Sequence, residues 1–280
     1  MNIDHTTMQI TETEEKQELR HLWWCLTGPM AFLPMHAAGI YSGDLTTNKV
    51  SDFVVSSYIP TITSLLEARA SKKDNFNGML TVSQPDTPGL RILPSTREEI
   101  LRIEAVTRGA DLRPSTTLEH SQATTEAVVK GMEDHSWIHL ACHAIQDVSS
   151  PLNSAFYLYD GKIELSSIIQ QALPYADFAF LSACQTATGD ENLPEESMHL
   201  AAGMLAAGYS SVIATMWSIM DEDAPIIAEE VYKYMLRDGV PDSSRAAYAL
   251  HHATKAFQQQ QRGDVEKSLL SWVPFIHVGL

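Results

Sequence analysis

The sequence predicts an α/β fold, a mostly parallel sheet sandwiched between helices, and two features carry that prediction. Several strand-like runs, among them Trp137 to Cys142, Asp177 to Ser182 and Ser211 to Trp217, are apolar almost throughout. That is the pattern of strands covered on both faces. Between them lie stretches with apolar residues at helical spacing, as expected of helices packed on the two faces of such a sheet.

Taken in order, the elements read as follows. Residues 1–18 are rich in Thr and Glu and are expected to form a flexible N-terminal segment, with a single domain over 19–280. Leu22 to Leu26 is a short apolar strand closed by Gly28-Pro29. Phe53 to Val55 is strand-like, and after Pro60 the spacing of Ile62, Leu65 and Leu66 turns helical. Gly78 to Val82 is a strand. Ser95-Thr96-Arg97-Glu98 predicts a helix start with Ser95 as N-cap and Glu98 three residues on, ahead of Ile100, Ile103 and Val106. Ser115 to Leu118 is a candidate strand, and Thr124 to Glu133 a helix with Ala127, Val128 and Met132 on one face. Ala155 to Tyr159 and Ile163 to Leu165, joined through Asp160-Gly161, predict a hairpin. Glu195 to Ala207, Glu222 to Arg237 and Ser243 to Gln261 are helical, and Trp272 to Val278 is a last apolar strand. The first hundred residues are expected to complete the same sheet.

Composition narrows the function. Hydrophobic residues make up 44% of the 280 and charged residues 19%, enough to bury one sizeable core. The 35 acidic residues against 19 basic ones give a formal net charge of -16. Such a surface repels nucleic-acid phosphates and anionic lipid headgroups and favours cationic partners. The three widely spaced cysteines, Cys25, Cys142 and Cys184, do not read as a disulfide framework and point to a reducing compartment. The polar start of the chain is unlike a signal peptide, and no apolar run reaches membrane-spanning length, so a cytoplasmic protein is expected.

Ligands of open α/β sheets bind beyond the carboxyl ends of the strands. Two strands here end in residues fit for nucleophilic chemistry, one in Cys142-His143 and the other in Ser182-Ala183-Cys184. A thiol attacks as thiolate and needs a neighbouring base to reach that form. His143 lies about forty residues before Cys184, the order in which caspase-type enzymes place their base and nucleophile.

These segments carry a family resemblance. His139-Leu140-Ala141-Cys142-His143, Pro151-Leu152-Asn153-Ser154-Ala155 with Asp160-Gly161, and Leu181-Ser182-Ala183-Cys184-Gln185-Thr186-Ala187 resemble the CHAT domain family. Ala206-Ala207-Gly208, Ile213 to Trp217 and Asp221 continue the likeness. So do Leu22 to Gly39 and Trp272 to Phe275 at its ends, so that it covers roughly residues 20 to 280. This family is a branch of the caspase/separase clan of cysteine peptidases, often found behind tetratricopeptide repeats. The resemblance implies a caspase-like fold and a cysteine endopeptidase with a His143/Cys184 dyad. It also implies an oxyanion hole from the backbone N–H groups of Cys184 and Ala144, no cofactor, and a regulated signalling, cell-death or defence role. Ala144 replaces the more common Gly and narrows the backbone conformations open to that position. A polypeptide substrate would run along residues 216–223. Trp217 would wall the first pocket, and Asp221, Glu222, Asp223 or Asp147 would meet a basic side chain.

Plainer readings compete with several of these. A lone Cys on an apolar strand is usually core, and Cys142, opposite in parity to His143, is expected to be packing. His139 reads as a satisfied core histidine, and His251-His252 as surface. Asp221 to Asp223 fit equally a helix start, where acids complement the dipole. A zinc site from His139, Cys142, His143 and Cys184 is rejected, because His139 and His143 would stand about 13 Å apart on a strand. The alternatives to a peptidase are a catalytically weak scaffold bound to an upstream repeat or receptor protein, and an acyl transferase using the same pair.

Overall fold

The structure, a computed structural model, describes residues 19–41, 48–70, 75–147, 149–185, 197–260 and 265–280. For 70, 183–185, 197–199 and 265–267 it describes the backbone alone. The expected flexible segment 1–18 and the helix start at Glu195 therefore lie outside the described residues. So does the small-residue turn from Thr186 to Gly189.

Along the chain run β1 (Arg20–Trp24), β2 (Val54–Tyr58), α1 (Ile62–Ala70), β3 (Met79–Ser83), α2 (Ser95–Gly109), β4 (Ser115–Glu119), α3 (Thr125–Asp134) and β5 (Trp137–Ile145). There follow β6 (Ala155–Tyr157), β7 (Lys162–Glu164), α4 (Leu165–Ile169), β8 (Phe178–Gln185), α5 (Ser197–Ala206) and β9 (Ser211–Thr215). The chain closes with α6 (Ala224–Met235), α7 (Ala246–Gln260), α8 (Val265–Trp272) and β10 (Phe275–Gly279).

The main path of the sheet is β1-β2-β10-β9-β8-β5-β3-β4, with β6 and β7 branching from the end of β5. Its central strands β4, β3, β5, β8 and β9 are parallel. β10 runs antiparallel to β9, and the β6/β7 hairpin folds back antiparallel on the last three residues of β5. The expectation of a mostly parallel sheet joined by the first hundred residues thus holds, since β1, β2 and β3 all belong to it.

Strand alternation sorts the core into two layers. Ile138, Leu140, Cys142 and Ala144 of β5 pack with Val128 and Met132 of α3, Ile168 of α4 and Met204 of α5. Trp137 and Ala141, with Phe178 and Phe180 of β8, pack with Ile100 and Ile103 of α2, Ile227 and Val231 of α6 and Leu250 of α7. Cys142 is therefore buried packing, as its parity requires.

Local signals held at several boundaries and failed at others. Thr124 caps α3, its side chain accepting from the Ala127 N–H at 3.2 Å. The Asp160-Gly161 turn closes with Leu158 N–H donating to Gly161 O at 2.7 Å. Ser95, however, is not an N-cap: it lies inside α2 after Pro94, and its N–H donates to Asp221 Oδ2 at 2.8 Å. Glu98 is correspondingly free of a capping box and pairs with Arg102 at 2.7 Å. Trp272 ends α8 rather than opening the last strand, and α6 begins at Ala224, two residues later than expected.

Candidate active site

β5 and β8 are adjacent, parallel and in register, so that His143 is paired with Cys184 and Ala144 with Gln185. Neighbouring strands lie about 4.8 Å apart, which sets the two backbone positions side by side at the carboxyl end of the central pair. The placement follows from two apolar runs of similar length that start level, with Trp137 opposite Phe178. Each then reaches its reactive residue at the same rung.

His143 is 2 % exposed. Its Nε2 lies 2.5 Å from the carbonyl oxygen of Arg91, in the segment between β3 and α2. A carbonyl only accepts, so Nε2 carries the proton and Nδ1 is the acceptor nitrogen of the neutral ring. Nδ1 is buried without a hydrogen-bond partner among the described residues. Burial pushes the imidazole pKa below its ordinary value, and the Arg91 charge acts the same way. The Arg91 carbonyl and the Asp221 carboxylate oppose that shift. A neutral imidazole with a buried lone pair is the state a general base needs.

The Arg91 segment is itself fixed. Leu93 N–H donates to Pro85 O at 2.8 Å, and Thr96 Oγ1 donates to Leu93 O at 2.9 Å while accepting from Ser83 Oγ at 3.2 Å. The orienting group is a main-chain carbonyl, which leaves no side-chain signature to find.

The other predicted residues are distributed around this pair. Ala144 is fully buried in β5 between Phe156 of β6 and Gln185 of β8. Among the described residues the non-glycine positions with positive φ are Asn48, Asp111 and His120, so Ala144 meets no penalty for lacking the freedom of Gly. Trp217 is half-buried just beyond β9, against both core layers. Asp221 is half-buried, tied to the amino end of α2 and within the electrostatic reach of His143. Asp223 is only 5 % exposed, at the amino end of α6, where its backbone carbonyl accepts from Ile226 and Ile227. Asp147 stands apart in the loop after β5: its Oδ1 accepts from Ser150 N–H at 2.9 Å, and its N–H donates to Ser154 Oγ at 3.0 Å. The side chain of Cys184 lies outside the described residues.

Beneath the His143/Cys184 rung the same sheet face carries polar groups that the sequence did not single out together. His139 is fully buried, its Nδ1 3.2 Å from the Tyr232 hydroxyl and its Nε2 3.1 Å from Glu99 Oε1, in contact but not aligned as a hydrogen bond. Ser182 Oγ donates to Glu99 Oε2 at 2.9 Å. His139 is thus the core residue expected, but only half satisfied: Nδ1 bonds to Tyr232 while Nε2 makes no hydrogen bond among the described residues. His251, expected on the surface, is instead half-buried on α7, and burial pulls its pKa down to about 4. His252 is exposed. Among the described residues no three His, Cys, Asp or Glu side chains converge as a metal site, and no helix is long and apolar enough to cross a membrane.

The fold has counterparts among solved structures. The chain superposes on the Arg-specific cysteine proteinase gingipain R with a TM-score of 0.61 at 11% identity, covering 95% of this chain and 64% of that one. On the complex of the pro- and mature domains of Porphyromonas gingivalis RgpB the TM-score is 0.56 at 11% identity, with 95% and 66% covered. On the Saccharomyces cerevisiae separase–securin complex it is 0.52 at 16% identity, covering 82% of this chain and 14% of that one. The chain therefore spans less than two thirds of gingipain R and a small part of separase. At these identities the likeness is one of fold, the caspase-like fold of cysteine peptidases. No curated protein sequence matches significantly. The CHAT domain model matches residues 2–280, nearly the whole length, and the chain belongs to the CHAT domain family.

Proposed function

We propose that this domain is a cysteine endopeptidase in which Cys184 is the nucleophile and His143 its base. The observation that carries the reading is the rung that pairs His143 with Cys184, combined with an imidazole whose Nε2–H is held by the Arg91 carbonyl. With Nε2 so engaged, Nδ1 is the nitrogen left to take the thiol proton. On β8, Phe178, Phe180 and Ser182 share the α2/α6 face, and position 184 follows in the same two-residue alternation.

In the reaction the Cys184 thiol gives its proton to His143 and the sulfur attacks the scissile carbonyl carbon. The oxyanion of the tetrahedral species is assigned to the backbone N–H groups of Cys184 and Ala144, as the family resemblance implies. The imidazolium then protonates the leaving amine as the C–N bond breaks. Water, deprotonated by the same ring, hydrolyses the thioester and restores the thiol. No cofactor takes part.

A basic residue before the cut is the preference the charges support. The net charge is -16 and Asp221 lies near the dyad with Trp217 on the same strand-to-helix connection. Asp223 is turned inward and Asp147 braces its own turn, and Asp221 is the carboxylate whose charge reaches His143, which makes it the acid of choice. Gingipain R, which shares the fold, is Arg-specific, in support of this assignment.

The near-complete burial of His143 favours a second form of the reading: a latent, catalytically weak domain opened by a partner, such as an upstream repeat or receptor protein in a signalling pathway. Both forms are tested by cleavage of a fluorogenic peptide library and by acyloxymethyl ketone labelling of wild type and Cys184→Ala. Cleavage after Arg or Lys that is lost in the variant supports the active peptidase. Labelling without cleavage supports the latent form. A Cys184 that neither labels nor matters refutes both.

A further inference from the structure

Glu99 is 2 % exposed, on the second turn of α2, and no step of the proposed reaction uses it. A buried carboxylate is costly, and a buried pair is often no more stable than apolar residues of the same size. Its partners explain the placement better than stability does. Glu99 Oε2 accepts from Ser182 Oγ, two residues before Cys184 on β8. Glu99 Oε1 touches His139 Nε2, four residues before His143 on β5. His139 is fixed in turn by Tyr232 of α6 and by the Phe180 ring packed against it at a tilt, with centroids 4.8 Å apart. The rungs His139/Phe180, Ala141/Ser182 and His143/Cys184 are consecutive on one face of the two strands. One carboxylate thus bonds to β8 and lies in contact with β5, the two strands that carry the dyad.

The helix that carries Glu99 also follows directly on the segment that orients the imidazole. Arg91 precedes the first residue of α2 by four positions, and Ser95 N–H at that end is held by Asp221. Glu99 lies four residues after Ser95, so α2 is pinned at its amino end by Asp221 and one turn later by Glu99. Arg102, pairing with Glu229 at 2.8 Å, fixes the next turn to α6.

We propose that Glu99 is a positioning residue for the reactive pair: by holding α2 to Ser182 and His139 it sets the Arg91 carbonyl on His143 and holds β5 and β8 in register at the dyad. The inference rests on the peptidase reading above. It acts through hydrogen-bonding geometry, so an amide at the same place retains most of the effect and a methyl does not.

The test is the alkylation rate of Cys184 by iodoacetamide as a function of pH, read by peptide mass spectrometry on the full chain with Cys25→Ser as background. Wild type should show a thiolate titrating below the ordinary value of about 8.5. Glu99→Ala should bring it back toward that value and slow alkylation at neutral pH about tenfold. Ser182→Ala, which removes a single hydroxyl and carries the test if Glu99→Ala does not fold, should slow it by roughly threefold. Glu99→Gln should stay within about twofold of wild type. A purely structural residue would alter melting and leave the pH profile of the folded protein in place. Folded Glu99→Ala or Ser182→Ala with the wild-type profile overturns the positioning role alone. An ordinary thiol titration in wild type overturns the dyad itself, and the positioning role with it.

Discussion

His143 Nε2 donates to the backbone carbonyl of Arg91 at 2.5 Å, and this one contact assigns the two ring nitrogens their roles. The nitrogen facing Arg91 cannot accept a proton from a thiol, so Nδ1 is the basic one. Nitrogen-15 NMR should therefore find His143 as the Nε2–H tautomer at neutral pH. A predominant Nδ1–H tautomer would remove the base from the mechanism. His143→Ala should lower kcat/KM, or the labelling rate of Cys184, by about 10²–10⁴, the usual contribution of a general base.

The pH dependence has a definite sign. Burial holds the His143 pKa below its ordinary value of 6.5, and the base is competent only when neutral. Activity should rise as pH increases through a midpoint below 6.5 and be fully developed at neutral pH. A midpoint above 6.5 in the acid limb of kcat/KM would contradict the burial argument.

Asp221 connects stability, electrostatics and specificity, so its removal should be visible three ways. Its carboxylate caps Ser95 N–H, and Asp221→Ala should cost about 1 kcal/mol in urea unfolding, as cap deletions do. Its charge raises the His143 pKa, so the acid limb should move to still lower pH. Cleavage after Arg and Lys should fall relative to cleavage after uncharged residues. Unchanged preference would return the acid to a purely structural role.

Acid should weaken the molecule through histidines remote from the dyad. His277 on β10 is bonded through Ser57 to His21 and through its other nitrogen to Ser211, linking β1, β2, β10 and β9. Burial lowers the His277 pKa to about 3 and the His21 pKa to about 4. The unfolded chain, with its histidines near 6.5, binds more protons than the folded one between these values. Their stabilising contribution is complete above about 6.5 and is lost as pH falls toward about 4 for His21 and about 3 for His277, on the order of a few kcal/mol for His277. Chemical denaturation at stepped pH should give a falling stability over that window, and His277→Asn should flatten it. An equally steep fall in the variant would place the acid sensitivity elsewhere.

Gly78 shows where backbone geometry governs stability. It enters β3 with φ +87, and a Cβ there would lie 2.5 Å from Pro114 O. Gly78→Ala should destabilise by about 1–3 kcal/mol, combining left-handed strain with a backbone clash. An unchanged urea midpoint would mean that the β3 entry can shift.

The sequence by itself determined the elements whose causes are local. The apolar runs ending in His143 and Ser182, the helix that begins at Thr124 and the Asp160-Gly161 turn are patterns of neighbours in the chain, and all are found where those patterns put them. It also determined the parity that sends Cys142 into the core. Contacts between distant segments were decided only by the tertiary structure. Ser95 looks like an N-cap until Asp221, 126 residues away in sequence, takes its N–H. His251 looks exposed until packing half-covers it. The orientation of His143 by a carbonyl 52 residues earlier has no side-chain code at all. The same is true of Glu99, an unremarkable acid in a helix until the fold sets it between Ser182 and His139, where burial makes its hydrogen bond from Ser182 matter.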